Sequence, residues 1–199
     1  MEKKYVIRRT ASAPGLDDAV WETAEKQSLD NFFCPESDNP TVTVQALCSE
    51  DGITVRFEAD EKNPTTNYWT ANQPAWLDSC VEFFFAPDMS DPLNYLNFEQ
   101  SLGGALLIQK GTQDDRRYIP HTDEPFKIQK HIDDNGWKIK FFVPFSFVSL
   151  HYGKFDSNFK GNFQFCNEDK NVYITWNKIE SPFPAFHRPK FFADIQMCI

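Results

Sequence analysis

The chain has 199 residues with 29 acidic against 20 basic side chains, and its net charge of −9 argues against a nucleic-acid partner, whose phosphates require a basic footprint, and against an anionic membrane surface. Forty-one per cent of the residues are hydrophobic, including 20 Phe, 6 Tyr and 5 Trp, which supplies a sizeable core and excludes disorder of the whole chain. No run of about 18 apolar residues is available to span a membrane. Met1-Glu2-Lys3-Lys4 leads into no apolar stretch of the signal-peptide kind, so the chain as written reads as cytoplasmic, or as exported if a leader has been trimmed.

In chain order, residues 17–25 predict a short helix with Asp17 or Asp18 near its start. Residues 41–47 and 53–59 flank Ser49-Glu50-Asp51-Gly52, a hairpin signature in which Gly supplies positive φ. Ile53, Val55, Phe57 and Ala59 alternate with Thr54, Arg56 and Glu58, the pattern of a half-buried strand. Residues 60–75 and 87–93 read as long loops, the usual seat of binding residues on a sheet scaffold. Residues 81–85 and 102–109 predict strands, the second softened by Gly103-Gly104. Residues 126–130 and 137–143 flank a second hairpin signal, Asp133-Asp134-Asn135-Gly136, with Trp137, Ile139, Phe141 and Val143 on one face. One helical turn at 146–150 and strands at 161–166, 172–176 and 192–197 complete the set. Turn signals every 8–15 residues and the lack of a linker or repeat predict one all-β domain over 1–199. Its expected form is a jelly-roll-like β-sandwich of two mainly antiparallel sheets with one or two short helices.

The residues that carry chemistry combine flat rings with hydrogen-bonding groups. A ring offers its face to the C–H surface of a sugar while carboxylates and guanidinium groups grip hydroxyls, the mixture a small-molecule site needs. Trp76 follows Pro74 in a loop and reads either as such a ring or as a cap on the sandwich end. Glu82 lies among Val81, Phe83, Phe84 and Phe85, where an unpaired charge is costly; either an arginine balances it or it faces a polar cleft. Glu99, after Phe98, carries the same ambiguity. Arg116 and Arg117 are the candidate guanidinium groups, or else a solvated turn after Asp114-Asp115. Tyr68 and Trp69 read as contacts or loop anchors, Trp21 and Trp137 as core, and Trp176 as core or cleft floor. The five cysteines are scattered, without a CxxC pair or zinc-type spacing, and read as non-functional, with Cys80 a small buried hydrophobe.

Taken together, several segments resemble family 9 carbohydrate-binding modules and their bacterial relatives. They are Gly15-Leu16-Asp17-Asp18-Ala19-Val20-Trp21, the strand ending at Asp60, Trp76 with Asp78 and Val81-Glu82, Tyr95-Leu96-Asn97-Phe98-Glu99 with Gly103-Gly104, Gly136-Trp137 to Pro144-Phe145, and Trp176 with Phe186-His187-Arg188-Pro189 to Phe192. The matches are colinear from Gly15 to Phe192. The resemblance implies a β-sandwich that binds xylan- or cellulose-type glycans between two aromatic rings, here Trp76 and Phe186. It implies that Glu82, and Asp60 with it, hold sugar hydroxyls, and it adds that some members carry calcium, which the acidic loops would permit although no EF-hand pattern fixes ligands. Glu99, Arg117 and His187 complete the expected site, His187 and Arg188 reading also as pins of the C-terminal turn. Two other readings stay open: a glycan hydrolase using Asp60, Glu82 or Glu99, and a protein-interaction module. Asp78 and Glu82 on one extended strand lie about 13 Å apart, too far for a glycosidase pair.

Overall fold

The computed structural model describes residues 3–35 and 39–198; Met1 and Glu2 of the N-terminal start lie outside the described residues. Among the described residues fourteen strands hydrogen-bond together, eleven of them along one continuous path and β2, β3 and β13 off it, and the whole folds into two packed sheets. They are β1 (Lys4–Arg9), β2 (Gln27–Leu29), β3 (Asn31–Phe32), β4 (Val42–Cys48), β5 (Gly52–Ala59), β6 (Cys80–Ala86), β7 (Tyr95–Ser101), β8 (Leu106–Gly111), β9 (Arg116–Tyr118), β10 (Gln129–Asp133), β11 (Gly136–Pro144), β12 (Asn158–Asn167), β13 (Val172–Thr175) and β14 (Ala193–Met197). The larger sheet runs β1-β14-β12-β6-β7-β8-β9, with β13 and β3 continuing beyond the far half of β12. The smaller runs β10-β11-β5-β4-β1, with β2 on the edge of β4. β1 joins the two: Lys4–Ile7 pair in parallel with β14, and Arg8 and Arg9 pair in parallel with β4. All other pairings are antiparallel.

The inner faces meet in a phenylalanine-rich core. Val55, Phe57, Ile139 and Phe141 of the smaller sheet and Val81 and Phe83 of the larger one are wholly buried. Phe83 stacks on Phe163 at 4.8 Å, and Phe57 and Phe141 reach across to Phe163 and Phe98 at 6.2 and 6.3 Å. Such pairs add to the area-driven stabilisation. Trp176 is buried in the same cluster, against Tyr5 and Phe163.

The outer face of the smaller sheet is covered as well, which the alternation along β5 does not announce. Arg56 lies 4.6 Å over the Trp21 ring and donates to Leu16 O and Gln45 Oε1, while Gln45 Nε2 donates to Trp21 O. The segment is closed on itself by Trp21 Nε1 donating to Gly15 O and Gly15 N donating to Asp18 Oδ2. The Gly15–Trp21 motif is thus a plug over a buried guanidinium, and its helical part is a five-residue 3-10 turn, Ala19–Thr23. The one-turn helix expected at 146–150 is a full α1, Phe145–Tyr152.

Strand β12 starts three residues before the expected 161, at Asn158, and two strands start later than expected. Gly103-Gly104 form the turn between β7 and β8, with Gly104 at φ +137°, rather than lying within a strand. Phe126 ends a 3-10 turn, Glu124–Phe126, that is capped by a left-handed Lys127, and β10 starts at Gln129. Both hairpins form, for different reasons. Gly136 needs its positive φ of 146°, but Gly52 does not. A Cβ on Gly52 would stand 2.3 Å from Val143 O, on the partner strand. Gly52→Ala is therefore expected to lower the unfolding free energy by about 3 kcal/mol, and urea titration of the variant checks it; a loss below about 1 kcal/mol would mean the hairpin gives way freely.

Candidate functional site

The outer face of the larger sheet carries a polar ladder beneath the segment 177–192. Along β6 the side chains alternate, Val81, Phe83 and Phe85 entering the main core while Cys80, Glu82, Phe84 and Ala86 face outward. Cross-strand register places Gln164, Glu82 and Glu99 directly opposite one another on three adjacent strands, and Cys166 opposite Cys80. A cavity of about 500 Å³ opens on this face. Glu82, Glu99 and Cys166 form its floor, and Gln109, Arg116 and Tyr118 one side. Trp76, on a 3-10 turn at Ala75–Leu77, Tyr173 of β13 and the Pro184–His187 run close the rest.

Glu82 and Glu99 are 2% and 3% exposed, so the two carboxyl groups sit side by side with almost no water. Like charges directly opposite on neighbouring strands repel, and burial penalises each anion. Burial first, then the neighbouring Cys166 and Glu99, push the Glu82 carboxyl well above the usual range. Burial likewise pushes Glu99 up to about 8, against the pull of its Asn97 hydrogen bond and of Arg116. Both shifts favour the protonated, neutral form of the pair. Glu82 Oε1 is 3.2 Å from the Cys166 thiol, and Oε2 makes no hydrogen bond with a protein atom. His187 Nδ1 lies 2.8 Å from Tyr95 OH and its ring 4.9 Å from Phe84; burial, then Arg116, lowers its pKa to about 3 and keeps it neutral.

The structure brings Trp76, Glu82, Glu99, Phe186 and His187 to this one cavity. No arginine neutralises Glu82; its neighbour is another carboxyl. Phe186 is not an exposed ring facing Trp76: it is 8% exposed and packs on Phe33 and Tyr173 at 6.2 and 6.1 Å. The open ring on the cavity is Tyr118, 52% exposed. Asp60 lies elsewhere, at the end of β5 in the smaller sheet, where its Oδ1 accepts from Thr41 N at 2.6 Å. Arg117 is also outside. Its side chain is 81% exposed and reaches Asp115 at 3.8 Å, because alternation along the short β9 puts Arg116 and Tyr118 on the cavity face and Arg117 on the other. Asp78 is an anchor for the long loop, accepting from Asn67 N, Tyr68 N and Ser101 Oγ. Gln109 and Tyr118 were not singled out by sequence, although they pair across β8 and β9 and share a face.

The profile of carbohydrate-binding family 9 matches residues 16–197. No curated protein sequence matches the chain. Among solved structures, a candidate carbohydrate-binding protein from Bacteroides uniformis superposes with a TM-score of 0.81 at 23% identity, covering 99% of this chain and 100% of that one. A family 9 carbohydrate-binding module from Caldicellulosiruptor kristjanssonii in complex with cellotriose gives a TM-score of 0.67 at 12% identity over 98% of this chain and 93% of that one. Its complex with glucose gives 0.67 at 13% identity, over 98% and 95%. These likenesses show a shared β-sandwich fold. The family match spans nearly all of the sequence, and the chain belongs to carbohydrate-binding family 9, a family of non-catalytic carbohydrate-binding modules.

Proposed function

We propose that the cavity on the larger sheet holds a short neutral glycan of the xylan or cellulose type, serving polysaccharide breakdown without itself cleaving the chain. The observation that carries this reading is the meeting, in one cavity, of the Trp76 and Tyr118 rings with Glu82, Glu99, Gln109 and Arg116. Rings stack on the apolar face of a pyranose while the polar floor meets its hydroxyls. The protonated carboxyls can donate as well as accept, which suits hydroxyl groups that do both. Arg116 donates through Nη1 to Gln113 O, and its Nε makes no hydrogen bond with a protein atom.

Calorimetry with cello- and xylo-oligosaccharides tests this. A lost charge-assisted hydrogen bond removes about 1.5–3 kcal/mol, so Arg116→Ala is expected to weaken binding roughly 10- to 150-fold. Arg117→Ala is expected to leave it unchanged. Binding that survives Arg116→Ala and disappears with Arg117→Ala would move the site off this cavity.

A further inference from the structure

We infer that Cys80, Glu82 and Cys166 form a site for a thiophilic divalent cation, of the zinc or cadmium type, in the floor of the glycan cavity. The two thiol sulfurs and a Glu82 carboxyl oxygen all lie within 4.8 Å of one another, and all three residues are buried. The backbone makes this convergence obligatory: Cys80 and Glu82 are two apart on β6 and share its outer face, and Cys166 is the direct cross-strand partner of Cys80. A tetrahedral zinc with bonds of about 2.3 Å to sulfur and 2.0 Å to oxygen holds such donors roughly 3.5–3.8 Å apart. Cys166 Sγ and Glu82 Oε1 are already at 3.2 Å, so the set needs an adjustment of about an ångström at most.

Two further observations favour a cation over simple packing. Glu82 Oε2 is buried and makes no hydrogen bond with a protein atom, a costly state for a polar oxygen that a metal bond would relieve. Glu82 and Cys166 also line the cavity, so a bound ion would keep one coordination position open toward it, as in three-ligand zinc sites. Burial that makes the bare anions unfavourable makes a compensating divalent charge valuable. The donor set also decides the metal class. Two soft sulfurs suit zinc or cadmium, whereas calcium takes oxygen donors only, so the calcium that the family resemblance permits is not the ion for this site.

The test uses the reduced, chelator-treated 199-residue chain carrying Cys34→Ser and Cys198→Ser, which removes the two cysteines that are not buried. Titration with Cd²⁺ alone is expected to saturate at one equivalent with the ultraviolet thiolate-to-cadmium charge-transfer band. Cys166→Ser is expected to weaken uptake by more than the roughly 10–100-fold that loss of an outer-shell partner costs. Glu82→Gln is expected to weaken it at least about tenfold. Should Cys166→Ser fail to fold, X-ray absorption of the zinc-loaded parent reads the ligands directly, with two sulfurs at about 2.3 Å expected. No uptake, uptake unchanged by Cys166→Ser, or a zinc spectrum with one sulfur or none overturns the inference. The titration contains no glycan, so its failure leaves the sugar reading standing, and failed sugar binding leaves this site standing.

Discussion

Between pH 6.5 and 8 the metal-free protein is expected to lose on the order of 2 kcal/mol of stability, lowering its melting temperature by about 4–8 °C. The cause is the buried carboxyl pair. Both Glu82 and Glu99 have folded pKa values raised above the ordinary 4.5, Glu99 to about 8. A raised acid keeps its proton in the folded state after the unfolded chain has released it. Its contribution is therefore full below 4.5 and is lost as the pH climbs through the folded value. His187 works the other way: lowered to about 3 from 6.5, it adds stability as the pH rises to 6.5 and nothing beyond, so it masks part of the carboxyl effect below that point. The steepest fall lies just above it. Glu99→Gln mimics the protonated form, retains an acceptor for Asn97 Nδ2, and is expected to reduce the slope; adding Glu82→Gln should reduce it further. Thermal melts across this range in chelator decide the matter. A wild-type protein that grows more stable toward pH 8 would mean that both carboxyls are ionised and balanced by charge.

The fold was largely legible because its strands are short, alternating and punctuated. Ile53 to Ala59 and Trp137 to Val143 show their inner faces directly, and the two hairpin signals fix the register of each with the strand before it. β1 was not legible. Lys4–Arg9 is half charged, and its role rests on parallel pairing with strands nearly two hundred residues away in one direction and some forty in the other. The site was legible as residue types and not as an arrangement. Nothing in the chain says that Glu99 stands opposite Glu82, since that depends on the register of β6 and β7. Asp60 follows a strand whose end lies on the other sheet, so a sequence resemblance carried it toward a cavity that the chain does not bring it to. Arg116 and Arg117 differ by one residue and therefore by one face, a distinction visible only once β9 is known to be a strand. The cysteines, read singly, looked inert; it is the pairing of β6 with β12 that puts two of them beside a carboxyl.

Trp76→Ala is expected to weaken oligosaccharide binding by about 2–3 kcal/mol, roughly 30- to 150-fold, the size of effect found where a large aromatic anchors an interface. Unlike a freely exposed ring, Trp76 is half-buried and packs against the apolar cluster around Phe84 and Tyr95, so the same variant should also cost about 1–2 kcal/mol of stability. Its carbonyl, which accepts from the Cys166 thiol, is unaffected by truncation, so the cavity floor should keep its shape. Two companion variants separate stacking from packing. Trp76→Phe retains a ring and should recover part of both losses. Trp69→Ala removes a 67% exposed ring from the preceding loop, away from the cavity, and should change neither binding nor melting temperature. Tyr118→Ala completes the comparison, since that ring borders the cavity from solvent and its loss should weaken binding at little cost to the fold. If Trp76→Ala loses stability while affinity holds, the ring is a cap on the cavity sheet, and the sugar must stack on Tyr118 or elsewhere. If affinity falls in step with Trp69→Ala as well, the glycan lies across the long loop instead of in the cavity, and the assignment of the carboxyl floor to sugar hydroxyls fails with it.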